Sequence, residues 1–297
     1  MIIAISAKIG AGKDALGEII QKVAQKSDDT HIGLPTWEIK KFADKLKDMV
    51  CMLIGCTREQ LEDRNFKEQE LGEEWDKYGI RFIYPNDEKS KDIYGGFATE
   101  KEAIDFEKKE RIALQWDKSL RTEIVKSKMT PRLLLQLLGT ECGRNIIHPQ
   151  VWVNSLFSDY KIKSTSELAY NIVHEKSLSS AFKKSMPNWI ITDCRFSNEA
   201  EGVKTREGIN IRLNRPISQR FPEEWDNYVW LNGQNPTEKG FMRFLEGNDL
   251  DLYKKLTHAS ETSLDEYENF DYVIENDGTL EDLQEKVKEI LIKENLI

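Results

Sequence analysis

MIIAISAKIGAGKD, residues 1–14, opens on a short apolar run, passes through a turn containing Gly10 and Gly12, and ends on Lys13 and Asp14. Residues 2–6 read as a buried strand, and the apolar spacing of 15–25 reads as an amphipathic helix. Strand, glycine turn and helix in that order are the context a Walker A phosphate loop requires. Such a loop binds phosphate oxygens through successive backbone N–H groups and the positive end of the helix that follows. The full pattern is Gly, four residues, then Gly-Lys-Ser/Thr; here Ala7 replaces the first glycine and Asp14 the hydroxyl residue. Neither change removes the chemistry, because backbone groups do most of the binding. The expected phosphate-binding stretch is Gly10, Ala11, Gly12, Lys13, Asp14 and Ala15. Lys13 is placed to bridge the β- and γ-phosphates of ATP and to follow negative charge as it shifts during transfer. Asp14 can only accept, which puts it on Mg²⁺, directly or through a water. A glycine turn that binds no phosphate is the alternative.

Working outward, strands are expected at 189–192, 209–213 and 271–275, each near a helical pattern, which implies a parallel sheet with helices on both faces. The fold class is therefore α/β: a P-loop three-layer domain spanning 1–297. A helix over 130–138 is marked by Thr130 as N-cap and Pro131 at the first helical position, with Gly139 as its stop. A second helix, over 279–291, starts at a capping box formed by Thr279 and Asp282. The stretch 58–128 is dense in charge yet carries Trp75, Tyr78, Phe82, Tyr84, Phe97 and Trp116. It is expected to be a mainly helical insertion on the acceptor side, or else a solvated elaboration without chemistry. Residues 214–257, punctuated by Gly and Pro, form a lid-like segment.

The chain has 297 residues, 39% of them hydrophobic and 32% charged, which is enough apolar material for a sizeable core. Its formal net charge of -9 argues against a nucleic acid polymer as partner, since that binding needs a clustered basic surface. A small anionic ligand needs only a local positive site. No signal peptide and no membrane span are apparent, so a cytoplasmic location is expected, in the host cytoplasm if the gene is phage-borne. Cys51, Cys56, Cys142 and Cys194 include no CxxC pair and read as reduced, packed thiols. A homodimer is compatible with the pattern, though nothing demands one.

The blocks Phe42-Ala43-Asp44-Lys45-Leu46-Lys47, Thr130 to Glu141, Arg144 with His148 to Val153, Thr192 to Ala200, His258 to Thr262 and Asp271 to Gly278 follow the phosphate loop in order. Together with Gly-Lys-Asp at 12–14 they resemble the bacteriophage deoxynucleoside monophosphate kinases, P-loop enzymes in which Asp takes the place of Ser/Thr. The resemblance covers the chain but is weak over 58–128 and 216–256. It implies a nucleoside-monophosphate-kinase-like fold, ATP and Mg²⁺ as donor and cofactor, and a deoxynucleoside monophosphate as the small-molecule acceptor.

A doubly charged acceptor phosphate calls for arginines that fork onto its oxygens, and Arg132, Arg144 and Arg195 are the candidates. Arg144 and Arg195 are also placed, with Lys13, among the groups that stabilise the transferring phosphoryl. Arg132 and Gln136 share one helical face, so the first can hold phosphate while the second reads a base edge. Trp152 either stacks on the base or belongs to the core. Asp193, at the end of a strand, either holds magnesium and orients the acceptor or caps the next helix. Arg215 and Arg220 read as lid arginines or as plain surface charge. Asn276, Asp277 and Gly278 are placed to contact the adenine through backbone groups, or simply form a turn. Two other readings remain open: a P-loop kinase of another phosphorylated small molecule, of the dephospho-coenzyme A or phosphomevalonate type, and a nucleotide-binding module without turnover.

Overall fold

The computed structural model describes residues 1–27, 37–83, 93–113, 121–162, 164–232 and 236–297. Tyr84 and Trp116, two of the aromatics noted in the insertion, lie outside the described residues. In chain order the first elements are β1 (Ile2–Ala7), α1 (Lys13–Ser27), β2 (Trp37–Lys40), α2 (Asp44–Ile54), α3 (Arg58–Glu62), α4 (Arg64–Glu68), β3 (Lys77–Ile83), β4 (Ile93–Phe97), α5 (Glu100–Ala113), β5 (Arg121–Ser127) and α6 (Pro131–Gln136). There follow α7 (Val151–Phe157), α8 (Thr165–His174), α9 (Leu178–Ser185), β6 (Asn188–Ile191), α10 (Ser197–Lys204), β7 (Ile209–Asn214), α11 (Ile217–Arg220), α12 (Pro222–Asn232), α13 (Glu238–Asn248), α14 (Leu250–Thr257), α15 (Ala259–Thr262), β8 (Tyr272–Glu275) and α16 (Leu280–Lys293). The chain divides into two compact units, Met1–Lys45 with Gln150–Ile297, and Leu46–Pro149. The inserted unit is thus wider than the 58–128 read from composition.

In the first unit a five-stranded sheet runs in the order β2-β6-β1-β7-β8, and every pairing is parallel. Strand geometry points alternate residues to opposite faces, and β1 is buried at every position, and apolar at all but Ser6, because it is covered on both. Ile3 and Ile5 pack with Leu16 and Ile20 of α1 and with Leu283, Val287 and Leu291 of α16. Ile2 and Ala4 face the other way, onto Val153, Leu156 and Phe157 of α7 and Ala200 and Val203 of α10. Helices on both faces of a parallel sheet make this a three-layer α/β fold, and they place the phosphate loop at the carboxyl end of the central strand. Gly17 sets how closely α1 lies to the sheet: a Cβ there would stand 2.5 Å from Thr192 Cγ2. The lid-like segment is a helical layer, α11 to α14, with its own small core of Ile217, Tyr228, Phe241, Leu245 and Leu256. The capping box at α16 forms as expected, with Asp282 N donating to Thr279 Oγ1 at 3.2 Å and Thr279 N to Asp282 Oδ2 at 2.8 Å.

One expectation for the second unit is corrected, and one element was not foreseen. Beside α3, α4 and α5 the insertion also carries a three-stranded antiparallel sheet, β4-β3-β5. Gly139 does not stop the helix that Thr130 caps, Thr130 Oγ1 accepting from Leu133 N at 3.2 Å. Beyond α6 the chain continues as a π-type helix, Leu137–Ile147, closed by His148 N donating to Gly143 O at 3.0 Å. Glycine is needed at 139 for packing, since a Cβ there would meet Leu46 Cδ2 at 2.9 Å.

Candidate functional site: the phosphate loop

Between β1 and α1 the loop turns on Gly10 and Gly12, whose φ angles of 79° and 95° lie where a side chain is strained. Ala11 N donates to Lys8 O at 3.1 Å, and the first bond of α1 runs from Leu16 N to Gly12 O at 3.0 Å. By helix geometry the N–H groups of the first turn, ahead of Leu16, have no intrahelical acceptor, which makes an anion site of this end. A Cβ at Gly12 would come within 3.2 Å of Asn276 Nδ2, so glycine also permits a close approach from the far end of the chain.

Asp14 sits at this opening between two cations. Lys13 Nζ lies 2.9 Å from its Oδ2 and Lys41 Nζ 3.1 Å from its Oδ1. The Thr192 hydroxyl, at the end of β6, donates to Asp14 Oδ1 at 3.3 Å. Burial by itself would raise the Asp14 carboxyl, but the hydrogen bonds and charge of Lys13 and Lys41 outweigh it and hold the pKa below its usual 3.8. Lys41 and Thr192 were not singled out by sequence reasoning, although each stands at or beside a block that carries the family resemblance.

Asp193 takes a structural task. Its Oδ1 accepts from Phe42 N at 2.7 Å and its Oδ2 from Ala43 N at 3.1 Å. It therefore pins the chain after β2 to the end of β6, and burial pushes its carboxyl up despite those two bonds. Capping of the following helix, the alternative read for Asp193, falls instead to Glu199. Arg195 N and Phe196 N both donate to Glu199 Oε2, at 2.8 and 3.2 Å, so buried Glu199 caps α10. The Arg195 guanidinium is ion-paired with Glu261, and Glu261 Oε2 accepts from Ile9 N at 2.6 Å. Arg195 is thus linked to the loop through Glu261.

Asn276 also reaches the loop: its Nδ2 donates to Ala11 O at 2.9 Å, so its side chain braces the phosphate-binding backbone. Gly278 is explained by the cap that follows, since a Cβ there would lie 2.5 Å from Asp282 Oδ2. Arg220 is not plain surface charge: its Nε donates to Ile9 O at 2.9 Å. Arg215 Nε lies 3.4 Å from Gln219 Oε1. A cavity of about 660 Å³ at the carboxyl ends of β7 and β8 is lined by Lys8, Arg215, Arg220 and Glu275 among others. That is the sheet edge where ligands of open α/β folds bind. A second cavity, of about 560 Å³, lies at the opposite end of the strands near Met1 and Asn188 and contains none of the expected site residues.

Arg132, Gln136 and Arg144 belong to the second unit. Arg132 and Gln136 are both exposed one turn apart on α6, as their spacing implies, and Arg132 is ion-paired with Glu68 of α4. Arg144 is half-buried within the π-type helix. Trp152, in the first unit, is only 6% exposed, which favours the core reading over base stacking. Among the described residues no group of three or more His, Cys, Asp or Glu side chains could hold a metal ion, and no helix is long and apolar enough to cross a membrane. The four thiols are free, with Cys51 and Cys56 Sγ atoms 3.7 Å apart.

No protein-family model matches the chain. Among curated proteins, it is 22% identical over 260 residues to the deoxynucleoside-5'-monophosphate kinase of Escherichia phage T5, covering 81% of this chain and 84% of that one. Solved structures similar to it include shikimate kinase from Acinetobacter baumannii in complex with shikimate, at 14% identity and a TM-score of 0.31 over 100% of this chain and 95% of that one. TT1252 from Thermus thermophilus aligns at 15% identity and a TM-score of 0.29, over 99% and 97%. The similarity to the phage T5 enzyme thus extends over most of the chain.

Proposed function

We propose that this chain transfers the terminal phosphoryl group of ATP to a deoxynucleoside monophosphate, giving the diphosphate by direct in-line displacement. The observation that carries the reading is the loop itself: two glycines with positive φ, a free helix end, and Lys13 beside Asp14 at its mouth. Similarity to the phage T5 enzyme supports the acceptor class.

In this reading the N–H groups at the start of α1 cradle the donor phosphates and Lys13 follows the charge that moves from donor to acceptor. The residues present fit a magnesium ion, because the Asp14 carboxylate and Thr192 hydroxyl offer hard oxygens 3.3 Å apart at the phosphate end of the loop. When bound, that ion would neutralise phosphate charge. Arg195 adds positive charge beside the loop. Arg132, Gln136 and Arg144 keep the acceptor-side roles read from their residue types and family blocks.

Asp14→Asn is expected to raise the Mg²⁺ concentration needed for half-maximal activity by about 10–100-fold, the range for disturbing a metal's oxygen partners. A magnesium titration at saturating ATP measures it. The depressed Asp14 pKa has a defined sign: its ionised form contributes fully above 3.8 and is lost only as pH falls through the lower folded value.

An acceptor panel tests the proposed function. Deoxynucleoside and ribonucleoside monophosphates, dephospho-coenzyme A and phosphomevalonate are each offered with ATP and Mg²⁺. Consumption of a deoxynucleoside monophosphate supports the reading, whereas consumption of a non-nucleotide acceptor alone overturns it.

A further inference from the structure

Glu261 was part of a recognised block but had no role, and the proposed reaction as described does not use it. It lies in the short helix α15 and is 8% exposed, so its carboxylate has lost most of its water. A buried carboxylate is retained at low cost only when both oxygens are engaged. Here Oε2 accepts from Ile9 N at 2.6 Å, inside the phosphate loop, and Oε1 is ion-paired with Arg195 Nη1. Arg195 Nη1 also reaches Ser260 Oγ at 3.3 Å, on the same helix. Ile9 is held on its other side as well, its carbonyl accepting from Arg220 Nε at 2.9 Å and its side chain packing on the lid core. Both backbone polar groups of this one loop residue are therefore committed to charged side chains far away in sequence.

We infer that Glu261 is a positioning residue: it fixes the Arg195 guanidinium in one frame with the phosphate loop, so that the arginine meets the phosphoryl group the loop holds. This rests on the proposed function. The Arg195 side chain is 32% exposed, so it is not sealed from solvent. Without Glu261 the loop keeps its glycines and Lys13, while Arg195 loses the contact that sets its position.

The test is a double-mutant cycle on the full chain with Glu261→Gln, Arg195→Ala and both together. Glutamine retains an acceptor for Ile9 N but turns a donor toward the guanidinium. Affinity for a non-hydrolysable ATP analogue is expected to stay within about threefold of the original in Glu261→Gln, while kcat falls about 10–100-fold, as for loss of one charge-assisted contact. In the Arg195→Ala background Glu261→Gln should cost almost nothing further, because the two act as a unit. Losses that multiply, or an unchanged kcat in Glu261→Gln, overturn the inference. If Glu261→Gln does not fold, Glu261→Asp serves in the same cycle with a smaller expected loss that must also vanish in Arg195→Ala.

A chain that phosphorylates no nucleoside monophosphate refutes the proposed function and not the tie. The tie is then read by amide exchange at Ile9, expected to speed up on the order of tenfold in Glu261→Ala through loss of one charged acceptor. Unchanged exchange there overturns it.

Discussion

Lys13→Ala is expected to lower phosphoryl transfer by about 10³–10⁵-fold, the scale of a single charged transition-state contact in this chemistry. The same substitution should leave the fold intact. Lys13 is the first residue of α1, and its Nζ is engaged by Asp14 at 2.9 Å across an opening where the Asp14 side chain is 53% exposed. An ion pair so open to water contributes only about 0–1 kcal/mol. Alanine is also a good helix former and fits the first turn without strain. Steady-state rates set beside thermal unfolding separate the two effects. A rate within tenfold of the original in a folded variant would contradict the role given to Lys13.

Asp193→Ala should show the opposite profile, with a large loss of stability whatever it does to activity. The carboxylate is the acceptor for Phe42 N and Ala43 N, and removing it strands both donors where little water reaches. Each buried N–H left unpaired costs about 1–3 kcal/mol. Denaturant unfolding measures the sum, and Asp193→Asn, which keeps one acceptor, should fall between. Burial raises the Asp193 pKa, so its contribution to stability is fully present below 3.8 and declines as pH rises through the folded value. Asp193→Asn should flatten that part of the pH–stability curve. A change below about 1 kcal/mol in Asp193→Ala would mean that neither N–H is effectively buried.

The contrast between these residues shows what the sequence could express. The phosphate loop was legible because strand, glycine turn, lysine and helix are contiguous, and local backbone needs fix their types. The strands β6, β7 and β8 were legible as apolar runs, β6 and β7 largely buried and β8 at the sheet edge with Val273 exposed. By contrast, β2 is four residues long and alternates Trp37, Glu38, Ile39 and Lys40 at the sheet edge, too short to display a period. In the second unit, β3, β4 and β5 are rich in charge and glycine, and only long-range pairing makes them strands. Gly139 reads as a helix stop because the signal for a stop and the demand of a close neighbour use the same residue. Only the Leu46 contact distinguishes them.

The site divides in the same way. Lys13 and Asp14 were assigned from the loop alone. Glu261 meets Ile9 across 252 residues, and Arg220 meets it across 211, so no local pattern could announce either contact. The Asn276 side chain braces Ala11 O, 265 residues earlier in the chain. A polar residue in a turn carries no mark of which partner folding will bring to it. Thr192 and Lys41 gain their significance the same way, through Asp14.

The central claim is that the γ-phosphoryl of ATP passes directly to a deoxynucleoside monophosphate, and single-turnover transfer from γ-labelled ATP tests it most directly. The purified chain is mixed with Mg²⁺, labelled ATP and each deoxynucleoside monophosphate in turn. The account expects label in the β-position of a deoxynucleoside diphosphate, matched by an equal amount of ADP, and neither in Lys13→Ala. ATP that binds while its label stays in ATP or appears only as inorganic phosphate, with every monophosphate unchanged, would contradict it.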